Sequence, residues 1–214
     1  MIGFLGGTGA EGRGLALRLG LAGEPVMIGS RDAARAEEAA QSLKALRSLS
    51  EVHGGLNEEV AHRADVVFIT VAYAGQRALL EALKGQLDGK VVVDTVAPVA
   101  VSRGRFYTLA VEEGSAALQA QALLPGSRVV AAFQTVSAQE LLDYTIDVEG
   151  DVITCGDDGE AKRLVMELAQ RIPSLRAIDG GSLESSHYVE GITALLLNIN
   201  RLYKAHSTIK IAGV

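Results

Sequence analysis

The chain has 214 residues, a formal net charge of −6, 48% hydrophobic and 21% charged residues, one cysteine and four prolines. That length suits one large domain, or a domain with a small appendage, and buries a full core without disulfide or metal staples. The acidic balance argues against nucleic-acid binding through basic runs, the lone cysteine excludes an internal disulfide and a cysteine-based metal site, and the lack of an 18-residue apolar run argues against a membrane span. A cytoplasmic protein with no metal is expected, because a reducing compartment fits and the four histidines have no ligand spacing.

Taken in chain order, the first element is an apolar strand at residues 2–5. It runs straight into glycines, six of the 24 lying within residues 3–14, and then into a helix with apolar residues at 15, 17, 19 and 21. Gly7-x-Gly9-x-x-Gly12 has the spacing of a dinucleotide-binding turn. Gly7 permits the tight turn, Gly9 lets backbone approach a pyrophosphate, and Gly12 lets helix pack closely on strand. The free N–H groups of the helix start then face the phosphates. The context required of the motif is present, with a strand before, a helix after, and a second strand at residues 25–29.

At the end of that second strand, dinucleotide sites selective for NAD place an acid that grips the ribose 2′-hydroxyl. This chain has Ser30-Arg31, with Arg35 four residues on. A guanidinium pairs with a 2′-phosphate through two hydrogen bonds, which favours NADP(H). Asp32 sits one position late and suits a helix N-cap.

A helix follows over residues 32–47, a short strand over 52–56, and a helix to about Arg63 that Asn57 is expected to cap. Residues 65–71 form an apolar run of the kind buried on both faces of a parallel sheet. Further elements are a helix at 74–84, a strand at 90–94, a helix at 112–124, and strands at 128–133 and 151–155. Asp157-Asp-Gly-Glu160 reads as a capping box that opens a helix to about Arg171, and a strand follows at 175–178. Residues 182–204 form a long helix with a broad apolar face that must be buried in the domain or against another subunit. The alternation gives an α/β fold, a Rossmann-type doubly wound, mostly parallel sheet. Residues 1–150 are read as the NADP-binding part, and 151–214 as a small C-terminal α/β part ending in the long apolar helix. The ligand is expected at the carboxyl ends of the strands, at the switch between the first and fourth strands.

Leu5-Gly-Gly-Thr-Gly9, Gly12-x-Gly14-Leu-Ala-Leu-Arg-Leu19 and Gly29-Ser-Arg31 resemble the NADPH-dependent reductases of the deazaflavin coenzyme F-420. The likeness returns at Cys155-Gly-Asp-Asp158, Val189-Glu190, Leu196-x-Asn198-Ile199 and Ile209-Lys210, so it spans nearly the whole length in order. The resemblance implies a homodimeric hydride-transfer enzyme. NADP(H) would lie on Gly7, Thr8, Gly9, Gly12 and Arg13, with Ser30, Arg31 and Arg35 around the 2′-phosphate and Val71 and Ala72 also binding the cofactor. The deazaflavin would lie between the Rossmann part and the last helix, against Tyr73, Phe133, Gln134, Val136, His187, Gly191 and Thr193. The chain differs from the family pattern in this second group. It has Ala72-Tyr73 for a Pro-Trp pair, Gln134 for a His, His187 for an Arg and Gly191 for a Ser.

Hydride transfer of this kind is a matter of holding two ring carbons close and excluding water, so no side-chain nucleophile is required. A carbonyl or imine reductase would need a proton donor. No tyrosine has a lysine four residues later, which leaves His187 as a weak candidate acid. Two further readings remain open: an NADPH-dependent reductase of a flavin, a ferric complex or an imine, and a non-catalytic NADP(H) sensor. Cys155 is expected to be a buried, inert hydrophobe.

Overall fold

The computed structural model describes residues 1–47, 49 and 51–214. In chain order the elements are β1 (Ile2–Leu5), α1 (Ala10–Leu21), β2 (Val26–Ser30), α2 (Ala33–Arg47), β3 (Val52–Leu56), α3 (Asn57–Arg63), β4 (Val66–Ile69), α4 (Tyr73–Leu87) and β5 (Val91–Asp94). There follow β6 (Val99–Ser102), β7 (Arg105–Thr108), α5 (Ala116–Leu123), β8 (Arg128–Ala131), α6 (Ala138–Leu142), β9 (Gly150–Gly156), α7 (Gly159–Gln170), β10 (Leu175–Asp179), a 3-10 turn at Leu183–Ser185 and α8 (Ser186–Tyr203).

Eight strands make one sheet in the order β10-β9-β8-β5-β4-β1-β2-β3. All its pairings are parallel except β8 with β9. The chain goes from β1 outward through β2 and β3, then returns to the other side of β1 for β4. That reversal opens the crevice between β1 and β4 in which doubly wound sheets bind ligands. Successive strand residues point to opposite faces, so Phe4, Phe68, Val91 and Val93 join one core and Leu5, Ile69 and Val92 the other. Leu15, Leu17 and Leu19 of α1, Leu43 of α2 and Val165 of α7 close the first face. Val60 of α3, Leu80 and Leu83 of α4, Ala117 of α5 and Val189 of α8 close the second. The last two strands of the chain extend this same sheet, and the boundary read at residue 150 falls on the first residue of β9.

Several local expectations are corrected. Asn57 does not cap α3; the N-cap is Leu56, and the Asn57 carboxamide instead accepts from the Gly6 N–H at 3.0 Å. The cap of α7 is shifted by one residue. Asp158 accepts from Ala161 N at 2.7 Å, while Asp157 accepts from Leu183 N at 2.9 Å. The helix expected from residue 112 begins only at Ala116, where the Ser115 hydroxyl accepts from Leu118 N.

Residues 99–108, which carried no strand assignment, form an antiparallel hairpin. Its two-residue turn is Arg103-Gly104, with φ of 48° and 72°, the paired left-handed conformation that matches the twist of a hairpin. Asn198 of α8 holds the hairpin, accepting from Phe106 N at 3.0 Å and donating to Phe106 O at 2.8 Å. The short helix α6 was also not anticipated; Arg18 of α1 holds it through the carbonyls of Glu140, Leu141, Asp143 and Ile146. The apolar face of α8 is split. Val189, Ala194 and Leu196 are buried, but Leu195 is 58% exposed and Leu202 78%.

Candidate functional site

The site begins where β1 gives way to glycine. Gly7 N–H donates to Gly29 O at 2.9 Å, which ties the turn to β2. A Cβ on Gly12 would lie 2.5 Å from Gly7 Cα, 2.8 Å from Gly7 O and 2.7 Å from Thr70 Oγ1, so α1 approaches the turn at a distance that only glycine permits. Gly9 differs: a Cβ there would meet nothing within 4 Å. Gly9 is the N-cap of α1, and no side chain caps the helix. The first N–H groups of a helix have no partner within it, so α1 presents bare donors and its positive end above an open glycine. In the next turn, Arg13 Nε is buried and, among the described residues, has no partner. These features fit a dinucleotide pyrophosphate.

At the end of β2 the Ser30 hydroxyl accepts from Asp32 N at 3.1 Å. Asp32 Oδ1 accepts from Ala34 N at 2.9 Å and from Arg35 N at 3.4 Å, so this carboxylate caps α2 as expected. Arg31 and Arg35 are exposed at the same helix start.

From the turn a cavity of about 450 Å³ runs along the carboxyl ends of β4, β5 and β8 to α8. Its walls bring together Val71, Ala72, Tyr73, Phe133, Gln134, Val136 and Thr193, seven residues singled out in the sequence. Thr70 and Thr95 also line it, and each hydroxyl donates to the end of the neighbouring strand, at Leu5 O and Ile69 O. Phe133 is buried with φ of 73°, a conformation costly for a bulky residue and concentrated at functional sites. It turns the chain out of β8 and packs its ring against Phe68, tilted by 51° with centroids 5.7 Å apart. Gln134 comes next. Its Nε2 donates to Asp94 O at 2.9 Å, and its backbone carbonyl accepts from Thr193 Oγ1 at 2.9 Å, which joins the strand ends to α8. Because Asp94 O can only accept, the amide orientation is fixed, and Gln134 Oε1 is left buried with no partner among the described residues. Tyr73 lines the wall and accepts at its hydroxyl from Gln119 Nε2 at 3.3 Å.

His187 and Gly191 are not among the walls of this cavity. His187 is exposed, with Nδ1 2.6 Å from Glu184 O and its ring 3.6 Å from that of Tyr188. A Cβ on Gly191 would meet nothing within 4 Å. Both lie at four-residue spacing with exposed Leu195, on the outer side of α8, because residues four apart share a helix face. Sequence reasoning missed Glu11, Thr70 and Thr95, together with Asn200, His206 and Ser207 beyond the helix end. Cys155 is fully buried, and burial pushes its thiol up to about 11, so it is an inert hydrophobe.

Two carboxyls, Asp94 and Glu190, are buried and are not among the cavity walls. Asp94 accepts from Gln76 Nε2 and Val96 N; Glu190 of α8 accepts from Ala116 N and Ala117 N at the start of α5. Burial raises both, Glu190 to about 7, against its bonds to α5 and Ser186 and the charge of His187; the Glu190 charge raises Asp94 further. A carboxyl whose folded pKa lies above its unfolded one binds more protons when folded, so stability falls as pH rises between the two. Unfolding free energy is therefore expected to drop as pH rises from about 4.5 to about 7. Urea titrations of Glu190→Gln should show a flatter profile over that window; an unchanged slope would assign the effect elsewhere.

The model of the family described as coenzyme F420-dependent NADP oxidoreductase matches residues 1–98. An F-420-dependent NADP reductase from Methanothermobacter marburgensis is 43% identical over 205 residues, covering 93% of this chain and 92% of that one. The chain belongs to this family. A second F-420-dependent NADP reductase, from Methanocaldococcus jannaschii, is 40% identical over 97% of this chain and 95% of its own length. A solved structure of a candidate F-420-dependent NADP reductase from Arthrobacter sp. FB24 superposes with a TM-score of 0.84 at 27% identity, covering 99% of this chain and 98% of that one. Two residues that carried the likeness late in the chain have structural work here. Glu190 fastens α8 to α5, and Asn198 fastens it to the hairpin. Together they set the helix that supplies Thr193 to the cavity.

Proposed function

We propose that this chain transfers a hydride between NADP(H) and the deazaflavin coenzyme F-420. The observation that carries the reading is the continuity of two sites: an uncapped glycine turn opens into a cavity whose far wall is α8. Gly7, Thr8, Gly9, Gly12 and Arg13 hold the pyrophosphate, and Ser30, Arg31 and Arg35 the 2′-phosphate. Val71 and Ala72 lie beside the nicotinamide. The unpartnered Gln134 Oε1 accepts from a ring N–H of the deazaflavin, with Tyr73, Phe133, Val136 and Thr193 around it. The two bound molecules supply hydride donor and acceptor. The chain's part is to align them and keep water out, for which apolar walls and fixed hydroxyls suffice. Residues 1–150 serve the nucleotide and 151–214 complete the second pocket.

The protein acts as a cytoplasmic homodimer through the outer face of α8, where Tyr188, Leu195, Leu202 and Tyr203 are 68%, 58%, 78% and 77% exposed. An apolar stripe of that kind on a solvent face marks an interaction surface. On this arrangement His187 and Gly191 belong to the subunit contact beside the second pocket.

The test is oxidation of NADPH, followed by its absorbance, with coenzyme F-420, FMN or FAD as acceptor. Turnover with the deazaflavin is expected; turnover with flavins alone sinks the reading, and binding without turnover on any acceptor indicates a sensor. Arg31→Ala should weaken NADPH binding by about tenfold to a hundredfold, the worth of a charge-assisted phosphate pair, and leave NADH nearly unchanged. Equal losses for both nucleotides would show that Arg31 does not read the 2′-phosphate.

A further inference from the structure

Glu11 is the second residue of α1, two beyond Gly9, and the one α1 residue in the cavity wall. Its Oε1 is buried and, among the described residues, has no hydrogen-bond partner. Burial alone pushes the carboxyl up to about 8, with no neighbouring charge contributing. The other titratable groups of the walls are Tyr73 from α4 and His206 from the segment after α8. Asp94 of β5 is buried outside the walls, bonded to Gln76 and Val96. On α1 itself the nearest cation in the chain is Arg13, whose Nε is likewise unpartnered. Glu11 is half-buried as a residue, and a carboxyl with one oxygen buried, unpartnered and without counter-charge is costly in its ionised form. Its placement is also odd for a nucleotide site, because the first turn of this helix should receive anionic phosphates.

The cavity starts at that turn and passes Thr70 and Val71, the route that leads from a pyrophosphate on α1 to a nicotinamide at the end of β4. The nicotinamide is a cation in NADP⁺ and neutral in NADPH. We propose that Glu11 reads the charge of the nicotinamide, facing the oxidised ring as a carboxylate and the reduced ring as a neutral carboxylic acid. The inference rests on the NADP(H) reading of the site and adds a specificity-determining residue for the redox state of the nucleotide. The pyrophosphate and 2′-phosphate act on Glu11 identically in both forms, so the ring charge alone sets the difference. An opposite charge within contact range lowers a carboxyl pKa by about one to three units. By linkage, NADP⁺ binding near pH 8 releases a proton that NADPH binding retains.

The experiment is the dissociation constant of NADP⁺ and of NADPH, by calorimetry and nicotinamide fluorescence from pH 6 to 10, for the wild type, Glu11→Gln and Glu11→Leu. Titration of the shared 2′-phosphate cancels in the ratio of the two constants. In the wild type, preference for NADP⁺ over NADPH should rise about tenfold or more across this range. The ratio should be flat in both variants. Calorimetry at pH 8 in buffers of different ionisation enthalpy should show more proton release with NADP⁺ than with NADPH, the excess vanishing in Glu11→Gln. A flat wild-type ratio, or an unchanged slope in Glu11→Gln, overturns the proposal. Failure of the wild type to bind either nucleotide overturns the reading of the site on which the proposal rests. Neither result involves the deazaflavin.

Discussion

Gly9→Ala should weaken NADP(H) binding about a hundredfold or more while leaving the melting temperature unchanged, and Gly12→Ala should lower both. The two glycines belong to one motif but are required for different reasons. Gly9 has φ of −74° and ψ of 173°, a conformation any residue adopts, and a methyl there meets no protein atom. The chain gives that position no structural reason to be glycine, so the space is free for phosphate. A methyl at Gly12 meets Gly7 Cα at 2.5 Å and Gly7 O at 2.8 Å. These are backbone atoms with no rotamer to turn aside, and α1 must move off the turn. Overpacking of that kind costs about 1–3 kcal/mol, and the same shift misaligns the donors aimed at the pyrophosphate. Thermal melts and nucleotide titrations of the two variants check the contrast. Equal melting losses would show that Gly9 is a packing residue; tight NADP(H) binding by Gly9→Ala would remove the turn from the nucleotide site.

The same distinction explains what could be read from the sequence. The glycine turn was legible because strand, turn and helix are contiguous, and their sterics are local. The parallel sheet followed from apolar runs such as residues 66–69, which can only be buried on both faces. Caps slipped by a residue because neighbouring polar groups compete. Asp157 and Asp158 are equivalent until the 3-10 turn at Leu183 draws the first away. The hairpin at residues 99–108 was missed because its turn is Arg103-Gly104, where the strong signal would be Asn-Gly or Asp-Gly.

In the site, the seven cavity residues lie at strand ends and on two helices, α4 and α8, while His187 and Gly191 follow from family position and lie on the outer face of α8. Glu11 carries a signal of its own. It fills an unspecified position of the glycine motif, yet a carboxylate one turn from a phosphate site is an electrostatic conflict visible in the sequence. Arg18 had none, since its partners are backbone carbonyls more than 120 residues away.

Arg18 is accordingly a polar residue whose loss should cost the fold heavily. It is 5% exposed, and its guanidinium donates from Nε to Leu141 O at 2.9 Å, while Nη2 lies 2.8, 2.6 and 2.9 Å from Glu140 O, Asp143 O and Ile146 O. Burial lowers its pKa, and the charges of Asp143, Asp147 and Glu140 raise it again, so those carboxylates help keep a cation where desolvation opposes one. Arg18→Met keeps the length of the side chain but removes every donor. The buried Leu141 carbonyl then lacks its partner, at about 1–3 kcal/mol, the part-buried carbonyls of Glu140, Asp143 and Ile146 lose a charged donor, and three carboxylates lose their counter-charge. A loss of about 4 kcal/mol is expected, or roughly 10 °C in Tm for a domain of this size. Arg18→Lys should recover only part of it, because an ammonium is a point charge without the planar fork. Activity should show where the damage falls. The segment that Arg18 braces continues from residues 137–139 of the cavity wall, so KM for the deazaflavin should rise more than the dissociation constant for NADPH. A Tm drop under about 3 °C in Arg18→Met, or equal losses for the two ligands, would mean that Gln134 and its turn hold this wall without the arginine.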